Sequence, residues 1–154
     1  MTRDEITRED ITRVARSWLG TKWAHGQMTK GAGADCLGFI AGVALELGYA
    51  DARRAARDER FRAYGRMADP AMLDDACKTY LDRIPAAVGV GDVLQMTPAK
   101  GIYAQHFAIV SAFDGVPTRI IHCTNAYPRQ VTEHGIDAEW RSRVKRVYAW
   151  RGVE

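Results

Sequence analysis

Apolar side chains recur at three- and four-residue spacing in the N-terminal half of the chain, a pattern typical of amphipathic helices. The first predicted helix begins after Thr7 as its N-cap and ends at Gly20. Its apolar stripe consists of Ile11, Val14, Ala15 and Trp18. Residues 21–34 follow, with glycines and no sustained periodicity, so a loop is predicted there.

The most apolar helical segment runs from Cys36 to Leu47 and predicts a helix that is buried on most sides. Asp35 is a natural N-cap for this helix, and Gly48 is a natural stop signal. Cys36 is therefore expected in the first helical turn.

Two further segments precede Pro85. Residues 51–66 are rich in arginine and alanine, which is compatible with a solvated helix or with an irregular excursion over the surface. Asp69 followed by Pro70 marks the start of another helix, which is expected to continue to Ile84. The apolar side of this helix contains Leu73, Ala76, Cys77, Tyr80, Leu81 and Ile84.

Beyond Pro85 the pattern changes to short β-rich runs separated by turns. The candidate strands are Val93–Met96, His106–Phe113, Thr118–Cys123, Gln130–His134 and Val144–Trp150. Asp114 and Gly115 mark a hairpin turn between the second and third of them. Helices followed by strands predict an α+β domain, residues 1–154, with N-terminal helices packed on a central antiparallel sheet.

Net charge and the length of the apolar runs exclude some classes of function. The formal net charge of +3 with 27% charged residues indicates a mixed surface and excludes a strongly basic nucleic-acid-binding face. No apolar run reaches the roughly 18 to 20 residues that span a bilayer, and the first residues do not resemble a secretory signal. We therefore expect synthesis in the cytoplasm without a signal peptide, and no membrane partner.

The chain contains three cysteines, Cys36, Cys77 and Cys123, without the paired spacing of a zinc site or a disulfide framework. Cys36 is the candidate nucleophile, because the unpaired N–H groups of a helix start favour a thiolate and can stabilise an oxyanion. Cys36 is expected to be the exposed thiol, while Cys77 and Cys123 are expected in the core.

A thiol nucleophile also needs a base and a group that orients that base. His106 opens one predicted strand, and His122 lies near the end of the next, across the Asp114-Gly115 turn. If these strands pair as a hairpin, the two imidazoles become neighbours. The residues thus predict a cysteine peptidase or amidase with Cys36, His106 and His122 as its catalytic residues.

The run GTKWAHGQMTKGAGADCLGFIAGVALELG resembles the nucleophile motif of the NlpC-type cell-wall peptidases, which are papain-like enzymes. The segment GVGDVLQM resembles their Gly-Asp strand motif, and HFAIV followed by RIIHC resembles their strands that carry base and orienting residue. The C-terminal TEHGIDAEWRSRVKRVYAWRG is similar to the phage-tail and gene-transfer-agent branch of the family. These similarities span most of the chain.

The resemblance implies a papain-like NlpC fold, with Cys36 as nucleophile, His106 as base and His122 as the third member. It implies hydrolysis of an amide bond in peptidoglycan stem peptides, typically between D-glutamate and diaminopimelate, without a cofactor or metal. Trp23 stands where many relatives have a tyrosine, Leu37 replaces a usual serine, and Gln27 replaces a frequent glycine. Trp23, His25 and Asp35 are the candidate substrate-binding residues.

The resemblance further implies phage-tail-like partner proteins and a tail-associated protein that acts in the periplasm. Three alternatives remain open at this stage. The same nucleophile and base would serve an acyltransferase or transglutaminase. A catalytically silent tail or wall-binding protein would keep only the fold. A metal site from Cys36, His106 and His122 is disfavoured, because no close ligand pair or acidic partner is evident.

Overall fold

The computed structural model describes residues 6–62, 69–97 and 106–154. The helices are α1 (Arg8–Arg16), α2 (Cys36–Leu47), α3 (Ala52–Ala56), α4 (Glu59–Arg62), α5 (Pro70–Tyr80) and α6 (Ala138–Ser142). The strands are β1 (Met28–Thr29), β2 (Gly33–Ala34), β3 (Leu81–Ile84), β4 (Val93–Met96), β5 (His106–Phe113), β6 (Pro117–Cys123), β7 (Val131–Gly135) and β8 (Val144–Trp150).

Six strands form the central sheet in the order β3-β8-β4-β5-β6-β7, and every neighbouring pair is antiparallel. The predicted α+β class is therefore confirmed, and the five predicted strands lie within a residue or so of their predicted bounds. The segment 21–34, predicted as a loop, instead contains the short antiparallel pair β1-β2.

The start of α1 is as predicted, but its end is earlier. Thr7 and Asp10 form a reciprocal capping box, in which each side chain accepts a hydrogen bond from the other residue's backbone N–H. The helix ends at Arg16 and not at Gly20, because residues 17–19 form tighter three-residue turns.

The predicted continuation of α5 to Ile84 is wrong. The helix begins at Pro70 as expected, but the backbone turns extended at Leu81 and Leu81–Ile84 pairs with β8. Pro85 favours the extended end of this strand, because a proline disfavours the helical conformation of the residue before it, here Ile84. The arginine-rich segment forms the short helices α3 and α4, and its residues 63–66 lie outside the described residues.

The Gly-Asp motif before β4 has a structural role. Asp92 is fully buried, and its carboxylate accepts hydrogen bonds from the backbone N–H groups of Val88 and Gly89. The same carboxylate forms a 2.8 Å ion pair with Arg8, which ties α1 to the sheet. A buried charge with three donors is well compensated.

Neighbouring residues of a strand point to opposite faces of the sheet. Apolar side chains occupy both faces here. On one face, α1 and α2 pack against Phe107, Ile109 and Ile121. The other face carries a smaller cluster, which includes Ala108 and Ile120 and packs against Trp140 of α6. In the part of the chain that the structure describes, no helix has the length and apolar character needed to span a bilayer.

The contact between α1 and α2 depends on Gly42, because a Cβ atom at this position would overlap the ring of Trp18. We predict that Gly42→Ala lowers the free energy of unfolding by about 1–3 kcal/mol, the usual cost of overpacking a core. Urea unfolding measures this. The control is Leu45→Ala on the exposed side of α2, which should cost about 0.5 kcal/mol or less. Equal effects of the two substitutions would contradict the packing account.

Candidate active site

The N-terminus of α2 is fixed by the buried carboxylate of Asp35. One carboxylate oxygen accepts a 2.7 Å hydrogen bond from the backbone N–H of Gly38, and the other accepts a 2.7 Å bond from Gly26. Asp35 therefore caps the helix and also holds the glycine-containing segment beside it. Cys36 consequently lies at the first residue of α2, as predicted.

Residues 21–34, here called the lead-in, approach the start of α2 closely. The carbonyl oxygen of Gln27 accepts a hydrogen bond from the backbone N–H of Asp35. A Cβ atom at Gly38 would overlap the same oxygen. Only a glycine fits at this position without displacing the backbone. Gly38 is thus needed for the geometry that surrounds Cys36.

The expectation that Cys36 is an exposed thiol is wrong. Its exposed fraction is 6%, against 4% for Cys77 and 1% for Cys123, so all three cysteines are buried. Exposure depends on tertiary packing that the helix-start signal does not contain. Cys36 differs from the other two in its position at a helix N-terminus, where backbone N–H groups lack helical partners.

Cys36 lies in the core that α2 forms with one face of β5 and β6. It belongs to the same apolar core as Phe107, the neighbour of His106, and Cys123, the neighbour of His122. The thiol of Cys123 donates to the carbonyl oxygen of Ala34, two residues before Cys36. Burial raises the pKa of the Cys123 thiol, and negative charge on Cys36 or Asp35 acts in the same direction.

The two predicted histidines are neighbours, as the hairpin pairing suggested. Nε2 of His106 lies 2.6 Å from Nδ1 of His122, and the ring centroids are 4.9 Å apart with nearly perpendicular planes. His106 opens β5 and is half-buried, whereas His122 lies near the end of β6 and is 3% exposed. Because Nε2 of His106 faces His122, its Nδ1 is the nitrogen left for another partner.

A third histidine, which the sequence analysis missed, extends this pair. Nε2 of His122 lies 2.8 Å from Nε2 of His134, and Nδ1 of His134 lies 2.9 Å from the carbonyl oxygen of Gly135. The His134 ring also packs against Trp140. The position of His134 in a predicted strand was visible in the sequence, but its contact with His122 depends on the register between β6 and β7.

Burial keeps the inner imidazoles neutral. It lowers the pKa of His106 to about 4, and the charge of His134 acts in the same direction. Burial also lowers the pKa of His122, with further contributions from His106 and His134. Both rings therefore have one protonated and one unprotonated nitrogen at neutral pH, and each can accept a proton.

The candidate substrate-binding residues lie on the lead-in. Trp23 is half-buried beneath the guanidinium of Arg129, 5.5 Å from the ring centroid, and its ring lies 6.5 Å from that of His25. A cleft beside the start of α2 is lined by His25, Asp35 and Gly38, among others. His25 is exposed there, whereas the Asp35 carboxylate is engaged by backbone donors.

Within residues 6–62, 69–97 and 106–154, no group of three or more His, Cys, Asp or Glu side chains is arranged to hold a metal ion. In the histidine cluster, every ring nitrogen except Nδ1 of His106 faces another ring nitrogen or a carbonyl oxygen.

The three thiols should differ in reactivity. Burial raises the pKa of Cys77 and of Cys123 to about 12, so hardly any thiolate exists at either residue near pH 8. We predict that iodoacetamide alkylates Cys36 first in the folded protein, which peptide mass spectrometry over time measures. Equal rates at the three cysteines would contradict the assignment of Cys36 as the reactive thiol.

No model of a known protein family matches the chain, and no curated protein matches it by sequence. Solved structures do match. The NlpC/p60 domain of the peptidoglycan hydrolase SagA superposes with a TM-score of 0.57 at 20% identity, covering 94% of this chain and 99% of that one.

Two further structures agree with this similarity. A Staphylococcus aureus protein described as similar to lipoprotein, of the NLP/P60 family, gives a TM-score of 0.59 at 16% identity, covering 97% of this chain and 43% of that one. The protein Ly7917 gives a TM-score of 0.63 at 15% identity, covering 94% of this chain and 63% of that one. The helices and the antiparallel sheet thus have the fold of NlpC/p60 domains.

Proposed function

We propose that this protein is a cysteine peptidase that hydrolyses an amide bond in the stem peptide of peptidoglycan. The observation that supports the proposal is the capped N-terminus of α2, where Cys36 is the first helical residue, in a chain whose sheet also carries the linked imidazoles of His106 and His122. The similarity in fold to the NlpC/p60 domain of a peptidoglycan hydrolase supports the substrate class.

In the proposed mechanism, Nδ1 of His106 takes the proton of the Cys36 thiol as the sulfur attacks the substrate carbonyl carbon. The tetrahedral intermediate collapses when His106 returns that proton to the leaving amine, which breaks the C–N bond. Water then attacks the thioester carbon and gives one proton to His106. Collapse of this second intermediate releases the carboxylic product and restores the thiol.

The helix start supplies electrostatic stabilisation. The first N–H groups of α2 have no helical acceptors, and the macrodipole places partial positive charge at this end. The oxyanion that forms on the substrate carbonyl would be stabilised by this charge. Asp35 is assigned a positioning role here, since its two oxygens hold the helix start and the lead-in.

His122 is proposed as the residue that orients the base. Its Nδ1 lies 2.6 Å from Nε2 of His106, so it can hold the base ring in one orientation. A neutral imidazole in this position stabilises the protonated His106 less than a carboxylate would, but it still fixes the tautomer.

The D-glutamyl-diaminopimelate bond is the proposed target, and Trp23 and His25 are proposed to contact the peptide. Both residues lie on the lead-in that precedes Cys36, and His25 lines the neighbouring cleft. We further propose a phage-tail-like carrier that delivers the enzyme to the periplasm, a proposal that rests on the similarity of the C-terminal segment to the tail-associated branch.

Replacing the nucleophile tests the proposed function. Cys36→Ala should lower peptidoglycan hydrolysis at least about a thousandfold, because covalent catalysis is lost. Mass spectrometry of the released fragments identifies the cleaved bond and separates hydrolysis from acyl transfer to an amine. Cys77→Ala is the control, which should retain activity. Unchanged release of stem-peptide fragments by Cys36→Ala would rule out the proposal.

Removing His106 and removing His122 should lower kcat to different extents. His106→Ala should lower kcat roughly a thousandfold, because the base is lost, whereas His122→Ala should lower it roughly tenfold to a hundredfold. Steady-state kinetics with a soluble stem peptide measures both. A larger loss in His122→Ala than in His106→Ala would mean that the roles are reversed.

A further inference from the structure

The three imidazoles of His106, His122 and His134 form a hydrogen-bonded series, here called the histidine chain, that ends on the backbone carbonyl of Gly135. A carbonyl oxygen accepts hydrogen bonds and never donates them. At 2.9 Å from this oxygen, Nδ1 of His134 must therefore carry a hydrogen. The opposite tautomer would bring two lone pairs together.

This one constraint fixes the remaining tautomers. A neutral imidazole has a single N–H, so Nε2 of His134 is an acceptor and Nε2 of His122 must donate to it. Nδ1 of His122 then accepts, and Nε2 of His106 must donate to it. The lone pair of His106 consequently remains on Nδ1, the nitrogen that points away from His122.

We propose that His134 is a positioning residue that, through the Gly135 carbonyl, sets the tautomer of the whole histidine chain and leaves Nδ1 of His106 as the proton acceptor. The part that concerns Cys36 rests on the proposed function. The tautomer assignment itself rests only on the contacts among the three rings and the carbonyl.

The surroundings of His134 suit such a role. Its position on β7 is fixed by the antiparallel pairing of Ile120 with His134. The ring is further held by Trp140 of α6, whose centroid lies 4.9 Å away at an angle of 61°. Trp140 also contacts the ring of His122, at 6.0 Å between centroids. The same indole thus restrains two members of the histidine chain.

Nitrogen-15 NMR of the wild-type protein with labelled histidine reads the tautomers directly, at about pH 8, above the ordinary imidazole pKa of about 6.5. The expected pattern is Nδ1–H at His134 and Nε2–H at both His122 and His106. Nε2–H at His134, or Nδ1–H at His106, overturns the proposal. This readout does not require peptidase activity, so a correct pattern in an inactive wild-type protein would refute the proposed function and support the tautomer assignment.

Two variants of His134 separate positioning from packing. His134→Gln keeps an acceptor for His122 and a donor for Gly135, whereas His134→Phe keeps a ring against Trp140 but removes both hydrogen bonds. His134→Phe should lower kcat about tenfold with little change in KM, and His134→Gln should stay within about threefold of the wild type.

Thr132→Val is the matched control on the same face of β7, since it leaves all three rings and the Gly135 carbonyl in place. It should keep the wild-type kcat, and thermal unfolding should show all three variants to be folded. Wild-type kcat in a folded His134→Phe variant, or equal losses in folded His134→Phe and His134→Gln, would overturn the positioning role.

Discussion

The buried carboxylate of Asp35 is the interaction on which the rest of the site depends. It accepts hydrogen bonds from the backbone N–H groups of Gly38 in α2 and Gly26 in the lead-in. These bonds fix the helix start and the preceding segment relative to each other. Its 2% exposure means that losing either donor would leave a costly unpaired charge. The position of Cys36, one residue later, is a direct consequence of this cap.

The second element of the site is assembled by the sheet. The start of β5 lies beside the end of β6, and β7 runs antiparallel along β6 with His134 opposite Ile120, so one histidine from each strand forms a continuous series. Burial keeps the pKa values of His106 and His122 low, so these rings act as neutral donors and acceptors. Cys36 lies in the core that α2 forms with one face of this sheet.

Helix-capping residues in the sequence predicted much of the active-site helix. The caps Asp35 and Gly48 are single-residue choices with a direct backbone consequence, so the bounds of α2 followed from the sequence. The apolar spacing of Leu81 indicated a helix, but the residue lies in a strand because it pairs with β8 about seventy residues away. The burial of Cys36 and the contact of His134 likewise depend on tertiary packing and strand register, which local patterns do not contain.

The central claim is that an imidazole from the sheet acts on the sulfur of Cys36. The most direct test is the ultraviolet absorbance of the Cys36 thiolate as a function of pH, in the wild type and in His106→Ala, each measured against its own Cys36→Ser background. The account predicts that the wild-type thiolate forms at lower pH, because a thiolate beside His106 favours the protonated ring and so offsets the low pKa that burial gives it. Identical titration curves in the two proteins would contradict it.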